Sequence, residues 1–150
     1  MCASGAGNLL LNIGPTGDGS LPAPGVELLE TVGAWLAANG ASIYGTTRSP
    51  WLAHAYGVIT CTPGRLFLHC FSWPAEGEIR LGFLASRATG ARLLAGGEPV
   101  AIEQRDDVLA VRGLPRSAPN DLDTLIDVDL DGGPEAFPGS YVFWAGDARY

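Results

Sequence analysis

The chain has 150 residues, 47% of them apolar, with 16 Asp and Glu against nine basic residues, every one of which is Arg. A chain of this length buries about 70% of its unfolded surface, so one core is within reach, and a formal net charge of −7 argues against nucleic acid or an anionic membrane as partner. No stretch reaches the ~18 apolar residues of a membrane span, and no basic-then-apolar leader follows Met1, so no export signal is legible and the sequence assigns no compartment.

The first segment, residues 1–45, opens with Asn8-Leu-Leu-Leu-Asn-Ile-Gly-Pro-Thr-Gly-Asp-Gly19. Its continuous apolar run predicts a strand at 8–13 buried on both faces, as in a parallel sheet. Gly14-Pro15 and Gly17-Asp18-Gly19 then break the chain into turns, and an Asp-Gly turn accounts for Asp18. Pro24 suits the first turn of a helix. Leu28, Leu29, Val32, Trp35 and Leu36 line one helical face, which predicts a helix over about 23–38 ended by Gly40 in the left-handed conformation. Together these form one β/α unit.

The second segment, 46–132, has short apolar runs between turn signals, the pattern of an antiparallel β-sandwich. Runs at 56–61 and 65–71 flank Thr62-Pro63-Gly64 as a hairpin, and another strand spans 78–84. Runs at 91–95, 100–104 and 108–112, separated by Gly96-Gly97 and Asp106-Asp107, form an up-and-down meander. A run at 124–130 closes the set, with Leu125, Asp127 and Asp129 on its outer face. Two packed sheets bury the apolar side of each strand. The third segment, 133–150, contains Ser140-Tyr-Val-Phe-Trp144 and reads as an added edge strand or a docked tail.

Few side chains invite chemistry. Cys2, Cys61 and Cys70 lack metal-ligand spacing; Cys61 and Cys70 fall on consecutive strands where they could face one another, but buried free thiols are the favoured reading. His54 and His69 lack a second zinc ligand, and His69 reads as a strand residue. Glu27, Glu30, Asp106, Asp107, Asp127 and Asp129 read as solvated charges. Trp51 and Trp73 border strands and read as packing residues rather than sugar platforms. No cofactor or metal site is expected.

The Asn8 to Gly19 motif, with Leu21-Pro-Ala-Pro24 and Asn39-Gly-Ala-Ser-Ile-Tyr-Gly45, resembles the end of the catalytic domain of the α-L-fucosidases of glycoside hydrolase family 29. Tyr56-Gly-Val-Ile-Thr60, Leu66-Phe-Leu-His69 with Trp73-Pro74, Gly90-Ala-Arg-Leu-Leu94 and Asp123-Thr-Leu-Ile-Asp-Val-Asp-Leu130 look like the sandwich that follows it. The resemblance implies a mainly β chain: an antiparallel β-sandwich preceded by the remnant of a (β/α)8-type barrel. It implies a retaining exo-glycosidase acting on terminal α-L-fucose of glycans, whose two carboxylates are expected on barrel elements before Met1. No catalytic residue is therefore carried onto this chain, which is expected to be inactive alone. Asn12, polar and near the end of the barrel strand, is the candidate substrate-binding residue; otherwise its amide satisfies the Gly-Pro turn. Expected partners are fucosylated glycan through the rest of the barrel, and a separate catalytic chain or a second copy. The other reading is a non-catalytic β-sandwich that binds glycan or supports a separate catalytic chain.

Overall fold

The computed structural model describes residues 2–51 and 53–138. After a single 3-10 turn at Ala3–Gly5, residues 8–16 run without a ladder partner. The strand expected at 8–13 is thus not formed. A strand needs a neighbour to take its N–H and C=O groups, and none of the described strands lies beside this run. Leu9, Leu10 and Leu11 stand 73%, 93% and 52% exposed.

One helix, α1, spans Ala23–Asn39, with Pro24 in its first turn where a missing N–H is harmless. Its apolar face is largely uncovered: Leu28 is 58% exposed and Leu29 and Val32 are each 38% exposed, while Trp35 and Leu36 are half-buried. Gly40 corrects a second expectation. It has φ −57°, right-handed, and leads into a 3-10 turn at Gly40–Ser42. The left-handed residue is Gly45, with φ +71°. Gly40 instead makes room for an aromatic ring, since a Cβ there would lie 2.7 Å from Tyr44 Cε2.

Eight strands follow: β1 Thr47–Arg48, β2 Gly57–Thr62, β3 Arg65–Cys70, β4 Glu78–Leu81, β5 Arg87–Leu93, β6 Pro99–Arg105, β7 Val108–Arg112 and β8 Thr124–Asp131. Thr62 pairs with Arg65 across Pro63-Gly64, and Gly64 at φ +82° supplies the positive φ such a two-residue turn requires. The meander β5-β6-β7 also forms as read. All pairings are antiparallel, in the order β1-β2-β3-β8-β5-β6-β7-β4. Strand β6 turns the corner: Pro99 and Val100 pair with β5, whereas 101–105 pair with β7. The sheet therefore curls over itself as a sandwich-like half-barrel.

Both layers contribute to one core. Ile59, Leu66, Leu68 and Ile126 from one meet Ile79, Leu81, Leu109 and Val111 from the other, all 0–1% exposed. Each such side chain contributes about 1.5–3 kcal/mol by leaving water. Trp51 joins them, its Nε1–H donating to the Gly82 carbonyl at 2.9 Å. Trp73 packs on the same core and donates to the Pro115 carbonyl at 2.8 Å. Both tryptophans are thus packing residues, as read. Cys61 and Cys70 are buried free thiols; they do not face one another, because Cys61 pairs with Leu66 and Cys70 with Gly57.

Strand β8 differs from its expected place. It does not close the set but lies in the middle, between β3 and β5. Its Leu125 and Asp127 are accordingly buried, at 3% and 0% exposure. Beyond it, Ala136 forms a bridge with Leu84, and the Phe137 N–H donates to the Phe83 carbonyl at 2.8 Å, so the start of the third segment docks along the sheet. The Ser140 to Trp144 run lies outside the described residues.

Candidate functional site

Asn12 stands exposed in the unpaired segment, and the chain after it closes into a compact turn. Asp18 Oδ1 accepts bonds from the Thr16 hydroxyl, the Ser20 N–H at 3.0 Å and the Ser20 hydroxyl at 2.8 Å. The Thr16 hydroxyl foremost, then Ser20, holds the Asp18 carboxyl down at about 2. An acid so firmly ionised serves the turn and is not a general acid.

A denser polar cluster lies where the end of α1 meets the sheet. Parity about the Pro63-Gly64 turn puts Thr60 and His69 on one face, opposite the core. His69 Nε2 is 3.1 Å from the Thr60 hydroxyl oxygen, and His69 Nδ1 is 2.7 Å from Asp123 Oδ2. Thr60 donates to the Ser42 carbonyl at 2.6 Å, and Trp35 Nε1–H donates to the Asp123 carbonyl at 3.3 Å. From the other side, His54 Nε2–H meets the His69 carbonyl at 2.9 Å. Burial, the leading cause, pulls the His54 imidazole down to about 4, so it is neutral near pH 7.

Thr60, His69 and Asp123 have the connectivity of a hydrolytic nucleophile, base and acid. The arrangement is sealed, however. Thr60 is 1% and His69 3% exposed, and the Thr60 proton is committed to Ser42. What the cluster does is tie three chain segments together. Reading His69 alone missed this, because Asp123 is distant in sequence and comes beside it only through the β3-β8 register; the parity of Thr60 and His69 was the available signal.

Asp127 overturns the reading of solvated charges. Its Oδ2 is held by Arg92 and, at 3.3 Å, by Arg65 Nη1, and the same guanidiniums bind Asp129 at 2.9 and 3.4 Å. Burial pushes the Asp127 carboxyl up while both arginines oppose it. These neighbouring carboxylates are held as ion pairs, not as an acid and a nucleophile flanking a cavity. Glu27, Glu30 and Asp106 are exposed as read. A shallow groove of about 280 Å³ runs between α1 and the segment before β8, lined by Leu28, Thr31, Val32, Trp35, Leu122 and Asp123.

Comparison with known proteins places this architecture. Residues 1–41 match the family model for α-L-fucosidase. The chain is 37% identical to an α-L-fucosidase of Branchiostoma floridae over 60% of its own length and 21% of the relative's. It is 34% identical to human plasma α-L-fucosidase over 65% of this chain and 23% of that one. The solved structure of α-L-fucosidase isoenzyme 1 from Paenibacillus thiaminolyticus superposes with TM-score 0.79 at 35% identity, covering 87% of this chain and 32% of that chain. The helix and the curled antiparallel sheet that follows it match the C-terminal region of such structures. In particular, the chain corresponds to the C-terminal part of the α-L-fucosidases of glycoside hydrolase family 29. It spans between a fifth and a third of the length of these relatives.

Proposed function

We propose that the chain works as the C-terminal part of a retaining α-L-fucosidase that hydrolyses terminal α-L-fucose from glycans, and that it has no turnover on its own. The observation that carries this reading is the unpaired Leu9-Leu-Leu11 run together with the half-covered face of α1, both in the segment that matches the α-L-fucosidase model. A run patterned for a sheet interior, yet exposed, is a surface that lacks its neighbours. In the proposed assembly those neighbours are barrel strands and helices on polypeptide outside these 150 residues, which also carry the nucleophile and the acid/base carboxylate. Pairing would then fix the 8–13 run as a strand and bring Asn12 to the substrate end. The curled sheet buttresses the barrel. Whether that polypeptide is continuous with this chain or separate does not alter the chemistry.

The test is complementation. The purified chain should leave an aryl α-L-fucoside intact, and adding the preceding barrel polypeptide should restore hydrolysis and protect the 8–13 amides together. Turnover by the chain alone, abolished by a substitution within it, would overturn the proposal.

A further inference from the structure

The geometry points to a one-proton latch at His69 that decides whether the Gly40–Ser42 turn after α1 is fastened to β2. The argument is one of hydrogen placement. Thr60 Oγ1 and the Ser42 carbonyl oxygen are 2.6 Å apart. Two oxygens that close need a hydrogen between them, and only the threonine has one to give. The Thr60 oxygen therefore presents lone pairs to His69 Nε2 at 3.1 Å, which must carry a hydrogen. Across the ring, Nδ1 lies 2.7 Å from Asp123 Oδ2, a second contact that needs a hydrogen. The His69–Asp123 pair thus holds one proton more than a neutral imidazole beside an ionised carboxylate, and the closed latch has it on the ring, with both nitrogens protonated.

Removing that proton leaves one hydrogen for two contacts. If it stays on Nδ1, facing Asp123, Nε2 presents a lone pair to Thr60. The hydroxyl must then swing to the ring, and the Ser42 carbonyl loses its donor. If it stays on Nε2, the Asp123 contact fails instead. The first outcome is favoured because Asp123 Oδ1 is buried with no hydrogen-bond partner among the described residues, so the carboxylate depends on His69. The bond that yields is the one joining the Gly40–Ser42 turn to β2.

The surroundings leave His69 as the cation facing Asp123. His54, which meets the His69 carbonyl, is neutral near pH 7. Cys70, next on β3, is kept a thiol because burial pushes its ionisation far up. On the helix side, Trp35 and Asn39 carry no titratable group, nor does the Gly40–Ser42 turn; Phe71 packs on the ring at 6.4 Å between centroids. The latch is therefore closed when the pair keeps its extra proton and opens as pH rises through the loss of that proton.

Ring nitrogen-15 NMR of the whole 150-residue chain tests this, read with amide exchange at Ile43 and Tyr44, whose N–H groups bond the Gly40 carbonyl. With the latch closed, both His69 nitrogens should be hydrogen-bonded and protonated. As pH rises, the ring signal and the Ile43 and Tyr44 protection factors should change together, protection falling about five- to tenfold. Thr60→Val should make protection low and independent of pH, and Thr60→Ser should restore the coupling. A single unprotonated nitrogen at every pH where the chain is folded would overturn the latch. So would an unchanged pH response in Thr60→Val; should that variant not fold, the wild-type and Thr60→Ser titrations decide alone.

Discussion

Residues 9–11 and residues 66–68 are both apolar runs of three, and the molecule treats them oppositely. Leu66, Phe67 and Leu68 are 0–2% exposed at the centre of the sheet, whereas Leu9, Leu10 and Leu11 are more than half exposed. Composition does not separate them; ladder partners do. β3 has β2 on one side and β8 on the other, so its polar backbone is satisfied and its side chains are covered on both faces. The lesson is that an apolar run states a demand for burial, and only the rest of the fold meets it. The β-rich region meets its own demand, and the 9–11 run does not have it met among the described residues.

The largest expected effect tests that contrast directly. Leu68→Ala should destabilise the chain by about 2–5 kcal/mol, the range for opening a cavity under a buried leucine. Leu10→Ala should change stability by no more than about 0.5 kcal/mol, as for other exposed positions. Urea unfolding of both variants measures the difference. Comparable losses would show that the N-terminal run is buried in the free chain.

Acid should attack the β-rich region through His54. Its folded-state value is lowered from 6.5 to about 4 by burial. Between those two values the unfolded chain binds the proton that the folded chain refuses, so stability is full above about 6.5 and falls as pH drops toward 4. The loss is on the order of 3 kcal/mol. His54→Gln, which keeps a donor for the His69 carbonyl, should remove this part of the pH dependence. Reading wild type minus variant cancels the other acids, and an identical pH profile in the two proteins would show that His54 is not the proton acceptor.

A smaller effect is expected at the Arg92 pair. Arg92→Ala leaves the buried Asp127 with Arg65, so only part of the penalty for an orphaned charge appears. With Arg92 side chain 30% exposed, solvent screening reduces it to about 1–2 kcal/mol. Thermal melts should show this loss shrink when Asp127→Asn is added, because the stranded charge is then gone. Strict additivity of the two substitutions would mean that the pair is not coupled.

What was legible in the chain follows from how local each decision is. Pro63-Gly64 sets a two-residue turn by its own backbone preferences, so the β2-β3 hairpin and its register could be read directly. Asp106-Asp107 did the same for β6 and β7. The central place of β8 could not be read this way, because it depends on pairing with β3, more than fifty residues earlier. From that one misplacement came the misreading of Asp127 as solvated, and the missed partnership of His69 with Asp123. The family resemblance rested most on the 8–19 and 39–45 motifs together, which are local in sequence, although the strand expected at 8–13 is not formed here.

The subtlest comparison lies within the N-terminal region, between Gly40 and Gly45. Had Gly40 been the left-handed end of α1, any side chain there would be strained. At φ −57° it is not, and alanine gains up to about 1 kcal/mol of helix propensity over glycine. The added Cβ meets the Tyr44 ring at 2.7 Å, but that ring is 66% exposed and can swing into solvent. Gain and loss offset, so Gly40→Ala should leave amide protection of α1 within about twofold of wild type. Gly45 has open space for a Cβ but a φ of +71°, which costs an L-residue about 1 kcal/mol. Gly45→Ala should therefore lower protection about fivefold where the chain leaves the helix for β1. The reverse ranking would place the left-handed turn at Gly40, where the sequence alone had put it.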